Sequence, residues 1–262
     1  MGKKKITLSI ALAVKNEEEN LRSCLSSIAD IAGEIVVVDG GSTDRTVEIA
    51  KDFDAKIIRT DNPPVFHINK QKALDACTGD WILQLDADEV VTPVLKQEIQ
   101  HILETDTYKK DEERIHGYYI PRRNYFWGHF MKKGGQYPDY VIRLVKRGYA
   151  KFPCKSVHEQ IQIDGKIGYM KEPLLHYSYR TAEDYWKKAD AYTSLTAQNM
   201  KRSGVKISIG NWFIYTIIKP VYAFLNIFLR HKGFMDGWYG LVFAYWSALH
   251  YPIAWEKYAK SI

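Results

Sequence analysis

Four times in the first hundred residues a short apolar run gives way to a stretch with helical periodicity, and this alternation restricts the fold more than any other feature. The runs at 6–13, 34–38, 56–59 and 81–85 have strand length and are rich in Ile, Val and Leu. Nearly continuous apolar strands are those covered on both faces, as in a parallel sheet. Between them, Leu21, Cys24, Leu25 and Ile28 fall at i, i+3, i+4 and i+7, one face of a helix. Asn16 with Glu19 three residues later reads as a capping box, which sets the start of that helix near Glu17. Further helices are expected at 43–53 behind Gly40-Gly41-Ser42, at 69–77, and at 93–103 with Pro93 in its first turn. The pattern is α/β: a mostly parallel sheet flanked by helices.

The charged stretch 104–116 reads as a surface excursion, after which strands return near 117–122 and 141–145. From 207 to 262 the composition shifts. This last fifth holds 15 of the 35 aromatic residues, and its only acids, Asp236 and Glu256, face five Lys or Arg. The span 212–229 has nearly the length of a bilayer crossing, but Lys219 and Pro220 interrupt it. Two shorter amphipathic helices in a membrane interface fit this better, with Trp and Tyr at headgroup depth and Lys219, Arg230 and Lys232 on anionic lipid. A helical pair packed on the rest of the protein would have the same composition. We expect a first domain over 1–200 and an aromatic-rich helical extension over 201–262.

A net charge of +6 suits an anionic partner such as phosphate or lipid headgroups. No nucleic-acid-binding motif accompanies it, so nucleic acid is not expected as a partner. Three widely spaced cysteines, Cys24, Cys77 and Cys154, fit a reduced, cytoplasmic chain. The short apolar stretch after Lys3-Lys4-Lys5 reads as a first strand and not as a signal peptide.

The chemistry gathers at strand ends. Asp86 and Asp88 follow the run 81–85 directly, and Asp39 ends the run 34–38 ahead of Gly40-Gly41. Open α/β sheets bind ligands outside the carboxyl ends of their strands, so these carboxylates should share one cleft. Two carboxylates one residue apart can grip Mg²⁺ or Mn²⁺, which complete their shell with water and substrate phosphate. The bland alternatives are a turn-forming Asp39 and acids that cap the next helix, with Glu89 serving the helix at Pro93.

Lys15-Asn16-Glu17-Glu18, Ile35-Val36-Val37-Val38-Asp39-Gly40-Gly41-Ser42-Thr43-Asp44 and Thr78-Gly79-Asp80-Trp81-Ile82-Leu83-Gln84-Leu85-Asp86-Ala87-Asp88-Glu89 resemble, in order and spacing, successive motifs of the family 2 glycosyltransferases. The resemblance covers about residues 5–200 and is closest to the bacterial branch of lipopolysaccharide core β-1,4-glucosyltransferases. It implies a GT-A fold for 1–200, a UDP-sugar donor and an inverting, metal-dependent hexosyl transfer. By the same resemblance, Asp39 would meet the uracil and Ala13, Lys15, Asn16 and Glu17 would line the nucleoside. Lys70 would lie near the base or diphosphate, Asp86 and Ala87 near ribose and metal, and Asp88 would be the principal metal ligand.

Where many members carry Pro or Thr before a Tyr-Asn pair, this chain has Ala13-Val14-Lys15-Asn16. His176, on the apolar stretch Leu174-Leu175-His176-Tyr177, is either a core histidine or a late metal ligand. Val157-His158-Glu159 resembles the branch whose Glu takes the acceptor's proton, so Glu159 is the expected base, with His158 its rival. Tyr137, Asp139 and Arg143 resemble an acceptor motif able to hydrogen-bond sugar hydroxyls or phosphate; otherwise Pro138-Asp139 is a turn and Arg143 a strand residue in an ion pair.

Together these readings predict transfer to a glycolipid or other oligosaccharide acceptor of lipopolysaccharide type, by an enzyme peripheral on the cytoplasmic face of the membrane through 207–262. A non-catalytic, membrane-associated nucleotide-sugar-binding or scaffold protein is the alternative. A nucleotidyltransferase would need a Gly- and Arg-rich loop where the acidic run Glu17-Glu18-Glu19 stands.

Overall fold

The computed structural model describes residues 6–63, 65–106, 114–154 and 160–261. Most of the excursion at 104–116, together with His158 and Glu159, lies outside the described residues. The chain divides into two compact units, one of residues 1–122 and 140–176 and one of 123–139 and 177–262.

The first unit is built on strands β1 (Leu8–Val14), β2 (Glu34–Asp39), β3 (Lys56–Arg59) and β4 (Trp81–Leu85), close to the expected runs. Short β5 (Glu89–Val91) follows, and further along the chain come β6 (Gly117–Phe126), β7 (His129–Phe130), β8 (Asp139–Lys146), β9 (Ala150–Lys151), β10 (Gln162–Ile163), β11 (Ile167–Tyr169) and β12 (Leu174–Tyr179), of which β7 and the last residues of β6 and β12 fall in the second unit. The sheet order is β3-β2-β1-β4-β8-β6-β12-β5, with β11 and β7 added along β6. Strands β1 to β4 are parallel, β8 joins β4 antiparallel, and β5 pairs antiparallel with β12. The sheet is therefore mixed but parallel where it begins, as the alternation predicts.

Alternate residues of the parallel strands enter two cores. Ile10, Leu12, Val37, Leu83 and Leu85 pack with Leu21 and Leu25 of α1 (Leu21–Ser26) and with Leu95 and Ile99 of the later helix Pro93–Asp106. Ala11, Val36, Val38 and Ile82 face Ala73 and Leu74 on the opposite side of the sheet. Helix α2 (Thr46–Lys51) follows β2, α3 (His67–Ala76) carries Ala73 and Leu74, and α4 is Pro93–Asp106. Covering both faces is what allows these strands to be apolar throughout.

Register then fixes the functional edge. Val14 pairs with Asp39 and Leu12 with Leu85, so the chain leaves β1, β2 and β4 at one end of the sheet.

The second unit is mainly helical. Thr181 and Asp184 form a reciprocal capping box, with Asp184 N donating to Thr181 Oγ1 (3.1 Å) and Thr181 N to Asp184 Oδ2 (2.9 Å), and start α5 (Ala182–Arg202). Tyr185 and Ala189 on α5 join Val242 and Phe243, with Trp246 packed against them, in one core. The apolar face of α5 is thus spent on the C-terminal helices.

The expected pair of short helices at 207–262 is instead one continuous helical run, Ile209–Arg230, followed by a 24-residue helix, Gly237–Lys260. The run contains α6 (Ile209–Phe213), a π-helical turn (Ile214–Ile218), α7 (Lys219–Leu225) and a second π-helical turn (Asn226–Arg230); Gly237–Lys260 is α8. Pro220 does not break the run because it sits in the first turn of α7, directly after the π-helical widening, where a missing amide hydrogen costs least.

By length and apolar composition Ile209–Arg230 could cross a membrane, and none of it is buried. One side rests on α8, where Tyr215 stacks on Trp255 with centroids 5.3 Å apart. The other exposes Ile209, Trp212, Phe213, Ile217, Ile218 and Val221. Between this run and α8, buried Asp236 accepts from Lys132 N (2.8 Å) and Lys133 N (2.7 Å), and lies 2.9 Å from His129 Nε2. A Cβ on Gly240 would collide with the carbonyl oxygen of Gly233, so this turn closes only over glycine.

Candidate active site

All the groups described first belong to the unit of residues 1–122 and 140–176. The loop after β1 is tied to the loop after β2. Asn16 adopts a left-handed φ of 55°, its N–H donates to Ser42 Oγ (2.9 Å), and its Oδ1 accepts from Thr43 N (2.9 Å). Glu17 N donates to Thr46 Oγ1 (2.7 Å) and Glu18 N to Asp44 Oδ2 (3.1 Å). The expected capping box of Asn16 and Glu19 does not form. A left-handed residue cannot lead into a helix, the Asn16 amide is used across the two loops, and α1 starts only at Leu21.

Asp39 does form a turn: buried at the end of β2, its carboxylate accepts from Ser42 N at 3.1 and 3.3 Å. The register places it beside the end of β1, where Ala13 is half-buried and Lys15 exposed.

At the end of β4 lies a chain of alternating charges. Lys70 on α3 pairs with Asp86 Oδ1, and its ammonium also sits 5.1 Å from the Phe66 ring centroid. Arg143 on β8 donates through Nη2 to Asp86 Oδ2 (2.5 Å) and to Glu89 Oε1 (2.7 Å), and through Nη1 to Gln84 Oε1. Glu89, 0% exposed, also accepts from Asp86 N through Oε2 (2.9 Å) and has Arg122 Nη1 3.6 Å from Oε1. Burial opposes the charge on Asp86, but Arg143 and Lys70 outweigh it and hold the carboxyl well below the usual carboxylate range. For Arg143, burial likewise opposes the charge, and Asp86 and Glu89 more than restore it, so its pKa is raised. Buried charges survive only when paired and hydrogen-bonded in this manner.

The neighbouring Asp88 points its Oδ2 at His176 Nε2, 3.4 Å away. His176 reaches it because β12 runs antiparallel to β5 with His176 opposite Glu89. Ala87 between the two aspartates is buried.

Two assignments move. Glu89, read as a possible cap for α4, is the buried centre of the charge chain; Thr92 caps the helix, its Oγ1 accepting from Leu95 N at 3.1 Å. Arg143, read with the acceptor residues, is buried among Gln84, Asp86 and Glu89. Tyr137 and Asp139 belong to the other unit, where Asp139 Oδ2 accepts from Asn124 Nδ2 at 3.3 Å. The sequence held one signal for Glu89, a third carboxylate one residue beyond a strand-end pair. For Arg143 the sequence offers an acceptor role or an ion pair, but nothing local names its partner Asp86, 57 residues away.

Among the described residues no three His, Cys, Asp or Glu side chains cluster as a ready metal cage. Asp88 and His176 could offer a carboxylate oxygen and an imidazole nitrogen to a divalent cation that draws its other ligands from water and substrate phosphate, while both carboxylate oxygens of Asp86 are engaged by Lys70 and Arg143.

Comparison with known proteins gives this arrangement a family. The model for glycosyl transferase family 2 matches residues 9–177. Over 262 residues the chain is 29% identical to the lipopolysaccharide core biosynthesis glycosyltransferase LpsC of Rhizobium meliloti, an alignment that covers 93% of this chain and 91% of that one. It is 28% identical over 245 residues to an uncharacterized glycosyltransferase of Rickettsia typhi, covering 90% and 80%. Among solved structures, S. aureus TarS 1-349 superposes with a TM-score of 0.50 at 13% identity over 98% of this chain and 92% of that chain, a likeness of fold alone. The sheet flanked by helices is the GT-A architecture expected from the sequence. With the family match spanning well over half its length and both relatives named as glycosyltransferases, the chain belongs to glycosyltransferase family 2.

Proposed function

We propose that this glycosyltransferase moves a hexose, with inversion at the anomeric carbon, from a UDP-sugar to a glycolipid or other oligosaccharide acceptor of lipopolysaccharide type on the cytoplasmic face of the membrane. The observation that carries the proposal is the convergence of Asp39, Asp86 and Asp88 at the carboxyl ends of β2 and β4, with Lys70 beside them. That end of the sheet is where an α/β fold receives a nucleotide, and a cation next to the carboxylates suits a diphosphate.

In this reading Asp39 accepts from the uracil, Ala13, Lys15, Asn16 and Glu17 border the nucleoside, and Lys70 faces the diphosphate. Asp88, with His176 and Asp86 beside it, would hold Mg²⁺ or Mn²⁺, which when bound supplies positive charge against the departing diphosphate. Glu159 takes the proton of the acceptor hydroxyl as that oxygen attacks from the face opposite the leaving group. Tyr137 and Asp139 bind the acceptor, while Arg143 serves the donor side by fixing Asp86.

The acceptor class is supported by the name of the Rhizobium meliloti relative. The membrane is supported by the exposed apolar side of Ile209–Arg230 and by charge: residues 191–235 hold six Lys or Arg and no Asp or Glu. With its other side on α8 and Lys219 at mid-length over the Tyr215 ring, the helix suits an interfacial position better than a crossing.

Thermal unfolding with a panel of UDP- and GDP-sugars, each with and without Mn²⁺, tests the donor. Metal-dependent stabilisation by UDP-sugars is expected, since a ligand bound to the folded state raises apparent stability. No response to any nucleotide would overturn the reading, whereas stabilisation by a UDP-sugar with no transfer to any acceptor would favour a non-catalytic binding protein.

A further inference from the structure

Glu89 is the most deeply enclosed ionisable group of the charge chain, and the proposed transfer gives it no part. It is attached to Asp86 twice. Its Oε2 accepts from the Asp86 backbone N–H at 2.9 Å, and its Oε1 accepts from Arg143 Nη2 at 2.7 Å, the same nitrogen that donates to Asp86 Oδ2 at 2.5 Å. Arg122 stands behind it at 3.6 Å, and Gln84 takes the second arm of Arg143 and donates through Nε2 to Asp86 Oδ1 at 3.3 Å. Both the backbone and the carboxylate plane of Asp86 are thus set by groups that Glu89 organises.

A buried ion network is poor evidence of a stabilising device, because packed apolar side chains of the same volume often hold a fold equally well or better. What charges achieve and apolar groups do not is a fixed direction for a neighbouring charge. Here the direction is delivered to Asp86, whose side chain is the most exposed of the chain, one residue from Asp88 of the Asp88–His176 pair. We propose that Glu89 is a positioning residue for donor binding, acting through Arg143 to hold Asp86 in the orientation that meets the nucleotide. This rests on the donor reading above.

The test is calorimetric titration of UDP with Mn²⁺ into the full chain and five variants. Glu89→Gln keeps the shape and one acceptor but loses the charge, and Arg143→Gln removes the fork. Each should weaken UDP by roughly tenfold, and the double variant should be no weaker than Arg143→Gln alone, since groups acting through one another are not additive. The decisive readout is Asp86→Asn: in that background Glu89→Gln should change UDP affinity by less than about twofold, whereas general structural damage would persist there. Should Glu89→Gln fail to fold, Arg143→Lys, which keeps the charge and loses the bidentate geometry, takes its place with the same expected loss. UDP affinity of Glu89→Gln within about twofold of the parent, or full additivity with Asp86→Asn, overturns the proposal while leaving the donor reading intact. A parent chain that binds no UDP overturns both.

Discussion

The two units handle exposure in opposite ways. In the first, carboxylates and cations are drawn inward; Glu89 is as enclosed as the core leucines and Arg143 is buried beside it. In the second, large apolar side chains face outward along a whole helix, with Ile209 88% exposed. Each departs from the usual sorting of polar groups out and apolar groups in. A buried charge costs stability unless something needs its direction, and an exposed apolar stripe costs solubility unless something covers it. The first departure points toward a small charged ligand, the second toward an apolar partner surface.

This contrast can be broken by substitution. Asp88→Ala should lower metal-supported sugar transfer by about 10³-fold, the scale of losing a preorganised charge at a developing one, with the melting temperature unchanged. Turnover near that of the parent would remove Asp88 from the metal site. Glu159→Gln should give a loss of about 10²–10⁴-fold with donor binding intact, the range for a general base; weakened UDP-sugar binding in place of lost turnover would assign it to the donor instead.

Leu83→Ala, in the core beneath the site, should cost about 2–5 kcal/mol in urea unfolding. A smaller cost would mean that the sheet relaxes around it. Replacing Trp212, Ile217 and Val221 together with Ser should lower sedimentation with vesicles of anionic phospholipid by about tenfold or more, since each buried apolar side chain contributes roughly 1.5–3 kcal/mol. Folding stability should move by less than about 0.5 kcal/mol per site. If stability collapses and lipid binding does not change, the helix is part of a protein core.

The parallel half of the fold was legible because strands covered on both faces have nowhere to put a polar residue, so Val36, Val37 and Val38 announce themselves. The shared edge of Asp39 and Asp86 followed from the same logic, since both end such strands. What sequence could not supply was pairing across distance. His176 meets Asp88 only through the antiparallel register of β12 on β5, and Arg143 meets Asp86 only because β8 joins β4. Local rules also misled where a residue had two uses. Asn16 has the side chain of a helix cap but is committed to the neighbouring loop, and Glu89 has the position of a cap but not the role. At the C-terminal end, Pro220 suggested a break, because nothing in composition foretells a π-helical turn placed just before it.

The thiols have a practical side. None of the three is in a disulfide; Cys24 and Cys77 are buried and Cys154 is partly exposed. Burial pushes Cys77 up to about 12, and burial, reinforced by the carboxylates of Glu89 and Asp86, raises Cys24 as well. At pH 8 a thiol with a pKa near 12 is ionised in roughly one molecule in 10⁴, and only the thiolate reacts. A maleimide fluorophore should therefore attach at Cys154 alone, five residues before Glu159. The native sequence thus offers a single cysteine for attaching a probe, with no residue altered.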